Sequence, residues 1–217
     1  MPLQHLLISV LLGWPIIGFG QGYKYYYGTL HAHSAYSDGN KDSASSHRTL
    51  PLHDFEYAKS SQHFDFLGIS EHNHLTAGLH LADYHKGLQQ ANQANDNGNF
   101  VCLYGMEYGV ISTGGHLIVY GIDSLIGWEA GNYDIYNSKT DYTALFKKVA
   151  ARPNSFCYFA HPQDGDYNQI LTTAPYNAVS DQAIVGTPFR SGPAFSLDTS
   201  YSNGSTFDYL DQWFAAL

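Results

Sequence analysis

Residues 27–39 read Tyr27-Gly28-Thr29-Leu30-His31-Ala32-His33-Ser34-Ala35-Tyr36-Ser37-Asp38-Gly39, and this stretch decides the fold class. Residues 25–30 are aromatic and aliphatic and predict a strand that delivers two histidines at its end. On a strand, residues i and i+2 point to the same side, so His31 and His33 are placed to grip one cation together. Asp38 lies in a Ser-Asp-Gly turn that can fold back towards them. A lone histidine at a strand end is more often hydrogen-bonded structure than a ligand, so the other strand ends carry the decision.

Those ends repeat the pattern. Apolar runs at 64–70, 100–105, 116–121, 155–160 and 183–187 predict further strands. The second ends in Ser70-Glu71-His72-Asn73-His74 and the third in Gly105-Met106-Glu107. A short loop with Gly114 and Gly115 leads to His116, which opens the fourth, and a later strand ends in Phe159-Ala160-His161-Pro162. Helical segments are expected at 52–62, 77–94, 142–150 and 207–217. In the third of these Leu145, Phe146 and Val149 fall at helical spacing behind the capping candidates Thr140 and Asp141. Strands alternating with helices predict a parallel sheet or an α/β barrel, in which strand C-termini converge on one face. Imidazole and carboxylate donors gathered there suit zinc, iron or manganese. His74 reads as a supporting or surface residue, and His5, His47, His53, His63, His80 and His85 as structural or surface residues.

Composition narrows the function. The 217 residues suffice for one sizeable core. A net charge of -9, with 10 Lys+Arg against 12 His, excludes a basic footprint for nucleic acid. A negative protein can still hold anionic substrates where bound cations reverse the local potential. Residues 1–20 read as a cleavable export signal: an apolar run through Leu12 and Ile17, with Gly18 and Gly20 placed for cleavage before Gln21. Residues 23–217 read as one domain, secreted or periplasmic, with no membrane association after cleavage. Cys102 and Cys157 sit in apolar runs and read as buried thiols, although an oxidising compartment would permit a disulfide.

In order and context these motifs resemble the PHP (polymerase and histidinol phosphatase) family of metal-dependent phosphoesterases. Its HxH and Ser-Asp-Gly motif is similar to residues 27–39, and its Thr-Asp-His-Asn motif to Ser70-Glu71-His72-Asn73. Its strand-end Glu is matched by Glu107, its strand-opening His by His116, and its Ala-His-Pro by Ala160-His161-Pro162. The resemblance covers residues 27–162. It implies a distorted (β/α)7 TIM-like barrel with up to three divalent ions, zinc, manganese or iron. By resemblance, His31 and His33 bind one ion, Glu107 bridges to a second completed by His116 and His161, and Asp38 and His72 hold the third. His72, Glu107 and Asp38 are the catalytic candidates. Two departures stand out. Glu71 replaces the usual Asp, and the family's final Asp-x-His is not found, since Asp198, Asp208 and Asp211 lack a His two residues on. The chain is therefore expected to stop before its last strand and motif.

The expected reaction is hydrolysis of a phosphomonoester or small phosphodiester by a metal-activated hydroxide, with no Ser or Cys nucleophile. His72 or His74 is the candidate to assist the leaving group. Arg190 reads as a surface residue, with a phosphate clamp as the alternative. The segments 108–115 and 163–176 are expected to line the pocket. Two other classes fit less well: an amidohydrolase-like C–N hydrolase, for which no strand-end Lys is present, and a non-catalytic secreted metal-binding protein.

Overall fold

The computed structural model describes residues 23–41, 43–110, 114–163, 165–171 and 174–188. The expected export signal at 1–20, the helix at 207–217, Arg190 and the three aspartates tested for an Asp-x-His motif lie outside the described residues.

Six strands form one sheet in the order β1-β2-β3-β4-β7-β8. They are β1 (Gly28–Thr29), β2 (Phe66–His72), β3 (Val101–Val110), β4 (Gly115–Tyr120), β7 (Phe156–Phe159) and β8 (Ile184–Gly186). Two short strands, β5 (Ile126–Gly127) and β6 (Ile135–Tyr136), pair with each other on an excursion between β4 and the next helix. The main helices are α2 (Pro51–Ser60), α3 (Leu81–Ala94) and α4 (Tyr142–Ala150), with shorter α1 (Ser43–Ser46), α5 (Asp166–Gln169) and α6 (Ala178–Ala183).

The (β/α)7 barrel expectation is overturned. The sheet is mixed: β1, β2 and β3 pair in parallel, as do β7 and β8, but β4 runs antiparallel to both β3 and β7. The reason is local. Only four residues separate Val110 from Gly115, and a parallel crossover needs a dozen or more. The sheet curls into a half-barrel, and among the described residues β1 and β8 do not pair to close it.

Alternation along the strands separates two faces. Leu67 and Ile69 of β2, Tyr104 and Met106 of β3, Leu117 and Val119 of β4, and Cys157 and Phe159 of β7 join one large core. Onto it pack Phe55 and Ala58 of α2, Tyr84 and Ala91 of α3, and Leu145, Phe146 and Val149 of α4. The opposite, concave face holds a smaller cluster of Ile118, Tyr120 and Ala160 with Leu30, Leu103, Phe156 and Tyr158. Tyr120 crosses that hollow and donates its hydroxyl to Leu30 O at 2.8 Å, and Tyr158 donates to the same carbonyl. A Cβ at Gly68 would lie 2.5 Å from the Tyr120 hydroxyl oxygen, so glycine leaves the room this ring needs.

Helix boundaries follow their caps. Asp141 caps α4 by accepting from Ala144 N at 2.9 Å. The helix expected from residue 77 starts instead at Leu81, because a single 3₁₀ turn (Leu75–Ala77) ends at Gly78 with φ of 97°. Cys102 and Cys157 are free thiols on β3 and β7, with β4 between them. No helix among the described residues is long and apolar enough to cross a membrane.

Candidate metal centre

Strand direction places the donors. The C-terminal ends of β2, β3 and β7 and the start of the reversed β4 lie at one rim of the sheet, so His72, Glu107, His161 and His116 meet there. In β2 and β3, His72 and Glu107 fall on the concave parity, opposite Ile69 and Met106. The loop after β1 brings the rest. Ala32 O accepts from Ser70 N at 2.8 Å, extending the β1–β2 pairing just far enough to aim His31 and His33 at the same rim. The turn closes through Gly39 N to Ser34 O at 3.0 Å, and a side chain at Gly39 would strike the His33 carbonyl.

Glu107 is fully buried and lies at the centre of the cluster. Its Oε2 is 3.0 Å from His31 Nε2 and 2.9 Å from His33 Nε2, which are themselves 3.2 Å apart. Its Oε1 is 2.7 Å from His116 Nδ1 and 3.0 Å from His161 Nε2, again 3.2 Å apart. His72 stands between the sets, with Nε2 3.3 Å from Glu107 Oε2 and Nδ1 2.8 Å from Asp38 Oδ1. Every residue expected at the centre is therefore brought together: His31, His33, Asp38, His72, Glu107, His116 and His161. Three sets of donor atoms are each close enough to hold one ion: His31, His33 and Glu107; His33, Asp38 and His72; and His72, Glu107 and His116.

The donor set fits cations better than it fits hydrogen bonding alone. A carboxylate offers about four lone-pair sites, yet ring nitrogens of five histidines lie within 3.3 Å of Glu107. Two of the contacts are nitrogen to nitrogen, where one partner must turn a lone pair towards the other or both protons clash. The buried Nδ1 of His33 has no hydrogen-bond partner among the described residues. Ligands about 2.1 Å from a metal lie about 3.0 to 3.4 Å apart in octahedral or tetrahedral sets, and these edges, at 2.7 to 3.3 Å, lie at or just below that spacing. The buried histidine and glutamate clusters can hold a metal ion.

The clustered groups shift one another's ionisation strongly. Burial alone would raise the Glu107 carboxyl, but the charge of His31 and bonds from His116, His161 and His31 hold it well below the usual carboxylate range. The hydrogen bond from His72 brings Asp38 down to about 2. Burial lowers His33. For His72 and His161 burial also works downward, but Asp38 and Glu107 respectively outweigh it and the net shift is upward.

Glu71, beside His72, does not enter the centre. It points to the helix-covered side of β2 and accepts from the backbone N–H of Ser34 at 3.2 Å and from the Ser34 and Ser37 hydroxyls. Burial raises it to about 7, against the opposing pull of those serines. Its part is to clasp the histidine-bearing loop.

Two asparagines support the centre from outside it, Asn73 from the matched Ser70-Glu71-His72-Asn73 motif and Asn137 from a stretch without signal. Asn73 donates to Ile126 O at 2.8 Å and accepts from Gly109 N at 3.2 Å, tying the end of β2 to β3 and β5. Buried Asn137 donates to Tyr108 Oη at 2.8 Å and accepts from Lys148 Nζ at 2.8 Å, fixing the far end of the β5–β6 excursion. Residues 108–110 of the expected pocket loop continue β3 instead. Beyond His74 stands Trp128, with ring centroids 6.3 Å apart. Comparison with known proteins found no family model, no curated protein and no solved structure that matches this chain.

Proposed function

We propose that this protein is a secreted, metal-dependent phosphoesterase of the PHP type that hydrolyses a phosphomonoester or a small phosphodiester. One observation carries the reading: Glu107 offers one oxygen to the pair His31 and His33 and the other to the pair His116 and His161. A buried carboxylate shared between two histidine pairs suits a site for neighbouring cations rather than a single structural ion. Following the resemblance, His31 and His33 would hold one ion, His116 and His161 a second across Glu107, and Asp38 with His72 a third, with zinc, manganese or iron as the candidates. Such cations, when bound, lower the pKa of water and neutralise charge on phosphate oxygens.

The chain's own residues do the positioning. Glu107, held anionic, fixes the separation of the two pairs. Asp38 receives Nδ1 of His72 and so turns Nε2 towards the centre. Glu71 holds the loop that carries His31 and His33. An acidic surface needs those cations to admit a phosphate, which matches the net charge of -9. The apolar segment at residues 1–20 supports a place outside the cytoplasm.

The test is turnover of p-nitrophenyl phosphate and bis(p-nitrophenyl) phosphate by protein loaded with zinc, manganese or iron. Activity that disappears with a chelator and returns with metal is expected. A metal-loaded protein inert towards both esters, or activity indifferent to the chelator, would overturn the assignment.

A further inference from the structure

A wall of rings runs outward from the metal centre. His33 stacks on His72 with centroids 4.5 Å apart, and His72 lies 5.6 Å from His74. Next comes Trp128, 6.3 Å from His74, with Tyr133 6.2 Å away and Tyr108 edge-on at 5.5 Å. Trp128 is half-buried, with one part packed against the helix-covered core through Tyr108 and the rest accessible, and His74 is half-buried too. Lys139 lies over the indole with Nζ 5.9 Å from its centroid, and no carboxylate pairs with it among the described residues. Glu129, next to Trp128 in the chain, is engaged by the Tyr133 hydroxyl at 2.6 Å, and Asp38 is engaged by His72.

The wall is also fixed relative to the centre. Asn73 follows the candidate ligand His72 directly and holds Ile126 O at 2.8 Å, two residues before Trp128. Asn137 N reaches Gly127 O at 2.7 Å, and the Asn137 side chain anchors the far end on Tyr108. His74 accepts from Ala77 N at 3.2 Å through Nδ1, so a neutral ring carries its proton on Nε2 and offers a donor.

We propose that Trp128, flanked by His74 and Lys139, is the leaving-group subsite of this centre and selects phosphate esters of flat, aromatic alcohols. The proposal rests on the phosphoesterase reading of the same site. A sugar or polyol would need a rim of carboxylates, amides and hydroxyls free to bond its hydroxyl groups. Among the described residues, the stretch around Trp128 offers ring faces, one donor imidazole and the Lys139 ammonium instead, which suit a planar, electron-rich group. In the reaction, water oxygen bonds to phosphorus, the bond from phosphorus to the aryl oxygen breaks, and a proton from that water ends on the departing phenol. Trp128 acts on the aryl group alone and leaves the bond-making atoms to the metal centre.

The experiment compares metal-loaded wild type with Trp128→Leu and Trp128→Phe. One arm measures binding of phenylphosphonate and methylphosphonate by calorimetry, and the other measures kcat/KM for phenyl phosphate and an alkyl phosphate. Wild type should bind the phenyl compound at least about fivefold more tightly than the methyl one, a preference typical of one aromatic contact. Trp128→Leu should erase that preference and reduce the aryl-to-alkyl ratio of kcat/KM by a similar factor through KM, and Trp128→Phe should restore most of both. Equal affinities in wild type, or a preference that survives Trp128→Leu, would overturn the subsite. A Trp128-dependent preference in binding without any turnover would uphold the subsite and overturn the phosphoesterase reading. Failure of both phosphonates to bind would remove both.

Discussion

Glu71 and Ser34 are joined across 37 positions of sequence by backbone and hydroxyl hydrogen bonds, on the opposite side of β2 from the adjacent His72. One strand thus supports the same centre from two faces: His72 supplies a donor atom, and Glu71 clasps the turn that supplies two more. Replacing Glu71 with Ala leaves Ser34 N and both serine hydroxyls without their acceptor in a buried site. We expect a loss of about 1–3 kcal/mol in stability. Metal affinity should fall about 10- to 100-fold, as for other outer partners of metal ligands. Metal-competition titration against a chromophoric chelator measures the second effect, and unchanged affinity in a folded variant would contradict the clasp. Glu71→Gln, which keeps one acceptor for Ser34, should fall between wild type and Glu71→Ala.

Chelation should lower the melting temperature, because five histidines are left around one carboxylate that cannot satisfy them all. Restoring metal to 100 times its dissociation constant should return about 2.7 kcal/mol per independent site. Ligating imidazoles must be neutral, so affinity should rise as pH is raised through the histidine range, and each protonated ligand should release a proton on binding. Calorimetry in buffers of different ionisation enthalpy counts those protons. A melting temperature insensitive to chelator, or metal binding independent of pH from about 5 to 8, would argue against an imidazole site.

The centre was far more legible in the sequence than the sheet that carries it. His31, His33, His72, Glu107 and His161 announce themselves as polar donors ending apolar runs, and the runs at 64–70, 100–105, 116–121 and 155–160 are strands to within a few residues. Strand direction is different, because alternation of side chains is the same whichever way a strand runs. The clue was the four-residue link into β4, too short to cross over the sheet, and Gly114 and Gly115 mark that turn. His116 still reaches the rim, since a reversed strand starts where its parallel neighbours end. Asn73 enters only as the last residue of a matched motif, with no role attached, and Asn137 carried no signal, because one amide looks like any other until its backbone partners are in place. Trp128 stood on a short excursion with too little periodicity to read.

The hollow inside the half-barrel is predicted to be intolerant of added volume. Tyr120 spans it to reach Leu30 O, immediately before the first candidate ligand, and Gly68 provides the space for its ring. Gly68→Val should therefore displace Tyr120 and cost about 1–3 kcal/mol, the usual range for overpacking. For a chain of this size that is about 2–4 °C of melting temperature per kcal/mol. Tyr120→Phe keeps the volume and loses only the hydroxyl bond, so it should cost about 0.5–1.5 kcal/mol. Thermal melts of the two variants rank them, and a Gly68→Val protein as stable as Tyr120→Phe would mean that the ring is not confined as described.

The ligands themselves should separate chemistry from folding. His33 is part-buried and touches Glu107 Oε2 and the His72 ring, but it is not in the helix-covered core that holds most of the buried apolar residues. His33→Ala should therefore keep the far-ultraviolet circular dichroism of wild type while abolishing metal-dependent turnover of p-nitrophenyl phosphate. Glu107→Gln is the harsher change, because a neutral amide serves both histidine pairs at once and carries two donor protons where the carboxylate offered lone pairs. It should lose more bound metal than His33→Ala, which leaves His116 and His161 with their shared oxygen. Metal content by elemental analysis after extensive dialysis orders the two variants. If Glu107→Gln retains as much metal as wild type, the carboxylate is not what the two pairs share, and the phosphoesterase assignment fails with it.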